Sequence, residues 1–214
     1  MSSGATIAKI SASDLDPICA EIAAQDPVIG KAYEMYGPPP LWNRQPTFET
    51  LIHIILEQQV SLASAKAAFD KLTEMVDEIT PVNVLELSDE EMKAAYFSRQ
   101  KALYARELSN AVLERTLVLE ELHSLSDKDV RKSLMRVKGI GRWTSDIFLL
   151  MCLLRPDVMP VGDIALHQAW KELAGLEKRP SSEEFHTIAE RWKPYRSVAA
   201  RLLWHFYLSE RNRI

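Results

Sequence analysis

The sequence predicts an all-α fold made of two helical lobes flanking a cleft. Apolar residues recur at spacings of three and four in nearly every segment, as one-sided burial of a helix demands, and strand-like alternation is almost absent. Glycine is scarce, with seven in 214 residues. Short polar residues suited to capping stand ahead of most apolar runs, and the connections between them are short. No internal repeat or low-complexity tract interrupts the pattern.

Taken in order, Ser13 and Asp14 can cap a first helix reaching Ala24, with Pro17 tolerated in its first turn. A short helix over 27–36 ends at Gly37-Pro38-Pro39-Pro40, a stiff linker. Thr47 caps a strongly apolar helix containing Phe48, Leu51, Ile52, Ile54, Ile55 and Leu56. That helix meets Glu57-Gln58-Gln59-Val60, and Ser61 caps the next, which runs to Val76. Beyond the acidic turn at 77–81, Ser88 and Glu91 form a capping-box pattern, and Ser98 caps a helix over 99–113. Ser126 opens a helix that ends near Val137. Helices over 142–154, 164–174, 182–192 and 195–209 complete the chain, with Asp163 and Ser181 at N-cap positions and Pro194 starting the last.

A hydrophobic content of 47% and a charged content of 26% are ordinary for a globular protein. No apolar run approaches a membrane span, and the N-terminus has no secretory pattern. Cys19 and Cys152 lack Cys-x-x-Cys partners, which argues against thiolate zinc or iron–sulfur sites and fits buried thiols in a reducing, intracellular setting. The net charge of −4 argues mildly against a protein that coats nucleic acid. Its distribution is uneven, however. Between Lys128 and Arg142 six basic residues face one acid, while Glu74–Glu91 holds seven acids and no base. A basic face around 128–142 follows, unless both stretches are simply solvated helix faces.

The basic stretch ends in Lys138-Gly139-Ile140-Gly141, a tight turn running into a helix that opens at Arg142 and Trp143. Paired glycines allow the backbone to approach another molecule closely, and the N–H groups at a helix start favour an anion such as phosphate. A helix C-cap followed by a new helix explains the same residues. Twenty residues after Trp143, beyond Pro160-Val161-Gly162, stands Asp163. Spacing alone leaves it evenly open between an N-cap and a chemical group, and the two roles are compatible. Asp146 is its rival, but dipole stabilisation in a first helical turn is reason enough for that residue.

Leu134–Leu154 followed by Pro160-Val161-Gly162-Asp163 resembles the helix-hairpin-helix DNA glycosylase superfamily, most closely its alkylpurine, 3-methyladenine DNA glycosylase II branch. Ile55–Ser61, Arg191–Ser197 and Leu203-Trp204 carry the same resemblance, which spans residues 46–210. It implies the helix-hairpin-helix glycosylase fold without the N-terminal sheet domain of larger members. One compact unit of two lobes is expected: 46–120 with the wedge loop, and 1–45 plus 121–214 with the hairpin and Asp163.

By resemblance, Asp163 is the catalytic aspartate, stabilising positive charge as a glycosidic bond breaks or orienting a water. Trp143 and Trp204 match aromatic positions of the base pocket, whose faces attract cationic methylated purines. Trp143 also occupies the position where bifunctional relatives carry a Schiff-base lysine, so hydrolysis without a lyase step is implied. Gln59 matches the side chain that plugs the gap left by a flipped nucleotide. Lys138, Gly139, Gly141 and Thr144 are expected to bind DNA phosphate. A structural Na+ or K+ on hairpin carbonyls near Val137 and Ile140 is the one cofactor the resemblance allows, with no iron–sulfur cluster. Trp170 and Trp192 read as core and His53 as helix surface or core, whereas Tyr33, Tyr36 and Trp42 have no assigned part.

The implied activity is excision of alkylated purines from double-stranded DNA in base excision repair, by a monomer in the nucleus or at the bacterial nucleoid. A non-catalytic lesion-binding relative, or a glycosylase for hypoxanthine or uracil, are the alternatives.

Overall fold

The structure is a computed structural model that describes residues 7–212. Among the described residues it contains twelve α-helices and no strand. In chain order they are α1 (Ala12–Gln25), α2 (Pro27–Tyr36), α3 (Phe48–Glu57), α4 (Leu62–Met75), α5 (Pro81–Glu86) and α6 (Asp89–Ala94). The remainder are α7 (Arg99–Leu113), α8 (Asp127–Leu134), α9 (Arg142–Ile147), α10 (Ile164–Ala174), α11 (Ser182–Ala189) and α12 (Arg196–Ser209). A π-helical segment, Phe148–Cys152, follows α9, and a 3₁₀ turn, Glu190–Trp192, follows α11. None of these helices is long and apolar enough to cross a membrane.

The caps explain most starts. Thr47, Ser61, Ser98 and Ser126 each accept a hydrogen bond from the N–H three residues on, as expected. At α1 the cap is Ser11 rather than Ser13, and the Asp14 carboxylate accepts the Ser11 N–H at 2.8 Å. The last helix starts at Arg196, one residue later than the expected 195.

Backbone contacts divide the chain into two units. One comprises residues up to Asn43 together with those from Leu149 onward; the other is Arg44–Phe148. The first boundary lies close to the expected 45/46, but the second falls far beyond 120. The hairpin helices α8 and α9 therefore belong with α3 and α7, not with Asp163. Packing gives the reason, since α9 contacts α3, and side chains of 58 and 104 hold the hairpin itself.

In the split unit, α12 is the central helix, and Ser197–Phe206 are buried on every side, as a helix surrounded by others must be. It packs against α1, α2 and α10. Arg201 is fully buried within it. Its Nε donates to the Leu41 carbonyl at 2.9 Å, Nη1 to Ser197 at 3.1 Å and Nη2 to Leu150 at 2.9 Å. Burial pulls its pKa down to about 10. Trp170 and Trp192 meet edge to face at 5.4 Å, and the Trp192 indole donates to Asp26 at 3.0 Å, so both are core. Tyr33 donates to Asp16 at 2.6 Å and Tyr36 to Glu210, while Trp42 meets His205 edge-on. Cys19 and Cys152 are buried with no disulfide between them, and desolvation pushes the Cys19 thiol up to about 12.

In the continuous unit, α3 is the central helix, with all its large apolar side chains buried against α4, α7 and α9. His53 stacks on Phe69 at 4.2 Å, half-buried on that helix. Arg44 bridges both carboxylate oxygens of Glu57 at the far end of α3, at 3.0 and 2.7 Å.

Candidate active site

The helix entering the hairpin ends at Leu134, three residues before the expected Val137. Loose turns carry the chain on, with the Val137 N–H donating to Leu134 at 3.1 Å and the Ile140 N–H to Val137 at 3.0 Å. Gly139 then adopts φ +95°, a region that L side chains avoid. A Cβ there would stand 2.1 Å from Cγ of Tyr104, so glycine also lets the turn rest on that ring. Gly141 differs. Its φ of −97° suits any residue, and a Cβ would meet nothing within 4 Å. Lys138 is exposed beside it. Thr144, expected to reach phosphate, is only 2% exposed, and its hydroxyl accepts from Gln58 Nε2 at 3.0 Å. It is spent inside the unit, which corrects that assignment.

Asp146 has a larger part than dipole stabilisation. Its side chain is 0% exposed, and its carboxylate accepts from Arg131 Nε at 2.6 Å and from Arg142 Nε at 3.2 and 2.9 Å. Two guanidiniums sharing one carboxylate leave one net positive charge, and Arg142 is half-exposed at the start of α9. A spacing of four residues on one helix hinted at the Arg142 pair; Arg131, fifteen residues away, gave no such signal.

Gln58 ends α3 with extended backbone, and Gln59 follows in the left-handed region at φ +57°, a conformation that costs a non-glycine residue about 1 kcal/mol. Gln59 is exposed and is flanked by exposed Val60 and Leu62. Lys101 Nζ donates to the Leu56 carbonyl at 2.6 Å just before this loop, and desolvation holds its pKa below the ordinary lysine range.

Asp163 lies in the other unit, at the N-cap of α10. Gly162 reaches φ +76° just before it, which explains the glycine of the Pro160–Asp163 turn. One carboxylate oxygen, Oδ1, accepts from the Leu166 N–H at 3.1 Å and from the Trp204 indole Nε1 at 3.3 Å. Two residues expected at the site are thus in contact although 41 positions apart. Both are 8% exposed. Val161 and Ile164 beside them are exposed. His167, one turn along α10, is held by the Pro180 carbonyl at 3.1 Å, and burial keeps its pKa below the usual range. Trp143 is half-buried on α9 of the continuous unit.

Among the described residues no group of three His, Cys, Asp or Glu side chains could hold a metal ion. The Val137 carbonyl, after accepting from Ile140, keeps a second lone pair, and carbonyl oxygens are donors that suit a monovalent cation.

The model of the family described as HhH-GPD superfamily base excision DNA repair protein matches residues 52–194. A Bacillus subtilis protein named as a putative DNA-3-methyladenine glycosylase is 29% identical over 180 residues, 80% of this chain and 63% of that protein. The chain thus spans less than two thirds of that relative. The Schizosaccharomyces pombe alkylbase DNA glycosidase-like protein is 30% identical over 162 residues, 73% of this chain and 76% of that one. The solved structure of the Schizosaccharomyces pombe 3-methyladenine DNA glycosylase in complex with abasic DNA is similar at a TM-score of 0.83 and 25% identity, covering 91% of this chain and 97% of that one.

Proposed function

Because the chain belongs to the HhH-GPD superfamily of base excision DNA repair proteins, we propose that it is a monofunctional DNA glycosylase excising alkylated purines from duplex DNA. The observation that carries this reading is the Asp163 carboxylate, whose Oδ1 accepts from the Trp204 indole Nε1 at 3.3 Å, an anion fixed at the edge of an aromatic ring. In the proposed reaction the damaged base is flipped out of the stack and rests against the Trp204 indole. An N3- or N7-methylated purine carries positive charge and leaves as a neutral base, taking the electron pair of the C1′–N bond. Asp163 stabilises the positive charge that develops at C1′. A water oxygen then bonds to C1′ and releases its proton, leaving an abasic site.

Trp143 has no amine to attack C1′, so no Schiff base forms and the strand is not cut. Gln59 fills the space of the flipped nucleotide. The outward backbone at Gly141, with Lys138, neutralises a phosphate without reading sequence. The carbonyls of Val137 and Ile140 would hold a monovalent cation, which would fix the hairpin carbonyls in one orientation. The relatives named for 3-methyladenine support this substrate class over hypoxanthine or uracil.

The test is chromatography of bases released from methylated duplex, followed by analysis of the strands. Free 3-methyladenine or 7-methylguanine is expected, with strand breaks appearing only after alkali or heat. Binding without release of any base would end the enzymatic reading, and cleavage without alkali would end its monofunctional part.

A further inference from the structure

In the continuous unit, a side chain outside the expected site residues reaches two of them. Gln58 Nε2 donates to the Gly139 carbonyl and to the Thr144 hydroxyl, both at 3.0 Å. A carbonyl only accepts, so the amide orientation is fixed with the nitrogen towards the hairpin. One side chain, adjacent in sequence to Gln59, therefore grips both the turn of the hairpin and the helix that follows it. The same two segments share a floor on α7. Lys101 holds the Leu56 carbonyl one turn before the loop, and the Tyr104 ring lies directly under Gly139.

We propose that Gln58 is a positioning residue that ties the Gln59 loop to the Gly139–Gly141 hairpin, so that plugging the duplex and gripping its phosphate occur as one motion. This rests on the proposed reading of Gln59 as the plug. The chemistry supports a coupling role rather than generic packing. Gln59 sits in a strained left-handed conformation within a short link between α3 and α4. Such a conformation persists only where neighbours over-determine it. Gln58 supplies that constraint from one side and the Ser61 cap of α4, accepting from Ser64 at 3.1 Å, from the other. The hairpin cannot shift along the phosphate backbone without drawing Gln58, and with it the Gln59 backbone.

A double-mutant comparison in the full chain tests this. Affinities for a duplex containing an abasic site and for an undamaged duplex are measured for the wild type, Gln58→Ala, Gln59→Ala and the double variant. Gln59→Ala is expected to weaken abasic-site binding about tenfold, and loss of two hydrogen bonds in Gln58→Ala to weaken it by a similar factor. In the double variant the loss should be no greater than in Gln59→Ala alone, with undamaged-duplex affinity unchanged throughout. Independent losses that multiply would overturn the tie, as would equal weakening on both duplexes, the mark of a merely structural residue. Unchanged abasic-site affinity in Gln59→Ala would instead remove the plug reading itself. Gln58→Glu keeps the shape and an acceptor for Thr144 but cannot donate to Gly139, so it should reproduce the alanine result without opening a cavity. Wild-type behaviour of that variant would also count against the tie.

Discussion

In the hairpin, Gly139 rests on the Tyr104 ring, Thr144 is held by Gln58, and Asp146 gives its carboxylate to two arginines. In the Pro160–Asp163 turn, Gly162 is required by its φ of +76° and not by a neighbour, since a Cβ there would meet nothing within 4 Å; Val161 and Ile164 are exposed, and Asp163 Oδ1 accepts from the Leu166 N–H and the Trp204 indole. Both segments show glycine and aspartate beside a helix start. In one, the fold itself uses most of them, and what remains outward is Lys138, Gly141 and Arg142. In the other, one oxygen of the acid is fixed by a helix cap and an indole. The difference separates residues conserving shape from those available to an outside molecule, and only the second kind informs about function.

Substitution can break this contrast. Gly139→Ala combines backbone strain with a clash against the rooted part of the Tyr104 side chain, and should cost about 4 kcal/mol. Thermal or denaturant unfolding would read it; a loss below about 1 kcal/mol would mean the hairpin is not built on that contact. Asp146→Ala strips a buried carboxylate from two guanidiniums and should cost about 3 kcal/mol, read the same way. Arg142→Gln sharpens the contrast from the outward side. Because Arg131 still pairs with Asp146, the substitution should cost only about 1 kcal/mol of stability, yet reduce the slope of log affinity for DNA against log salt by about 1. An unchanged slope would confine Arg142 to an internal role.

The helices were legible because their signals are local: a capping serine or threonine and apolar spacing lie within a dozen residues of each other. Asp163 and the paired glycines stood out for the same reason. Tyr104, Lys101 and Gln58 did not, because each acts on a backbone atom 35 to 81 positions away and through a side chain that looks ordinary where it stands. Thr144 was misassigned because a hydroxyl in the first turn of a helix reads as outward until its partner is known. The second unit boundary was misplaced for a related reason, since what binds the hairpin to α3 and α7 is tertiary packing with no mark at residue 120.

The central claim concerns charge at Asp163, and Asp163→Asn isolates it. Asparagine caps a helix as well as aspartate does and still presents an oxygen to the Leu166 N–H and the Trp204 indole. Fold and DNA affinity should therefore persist while the negative charge is gone. Single-turnover release of methylated base is the measurement, made alongside DNA binding. The expected result is a rate lower by about a thousandfold with affinity unchanged. A rate within about tenfold of wild type would contradict the assignment of Asp163 as the group that stabilises the breaking bond.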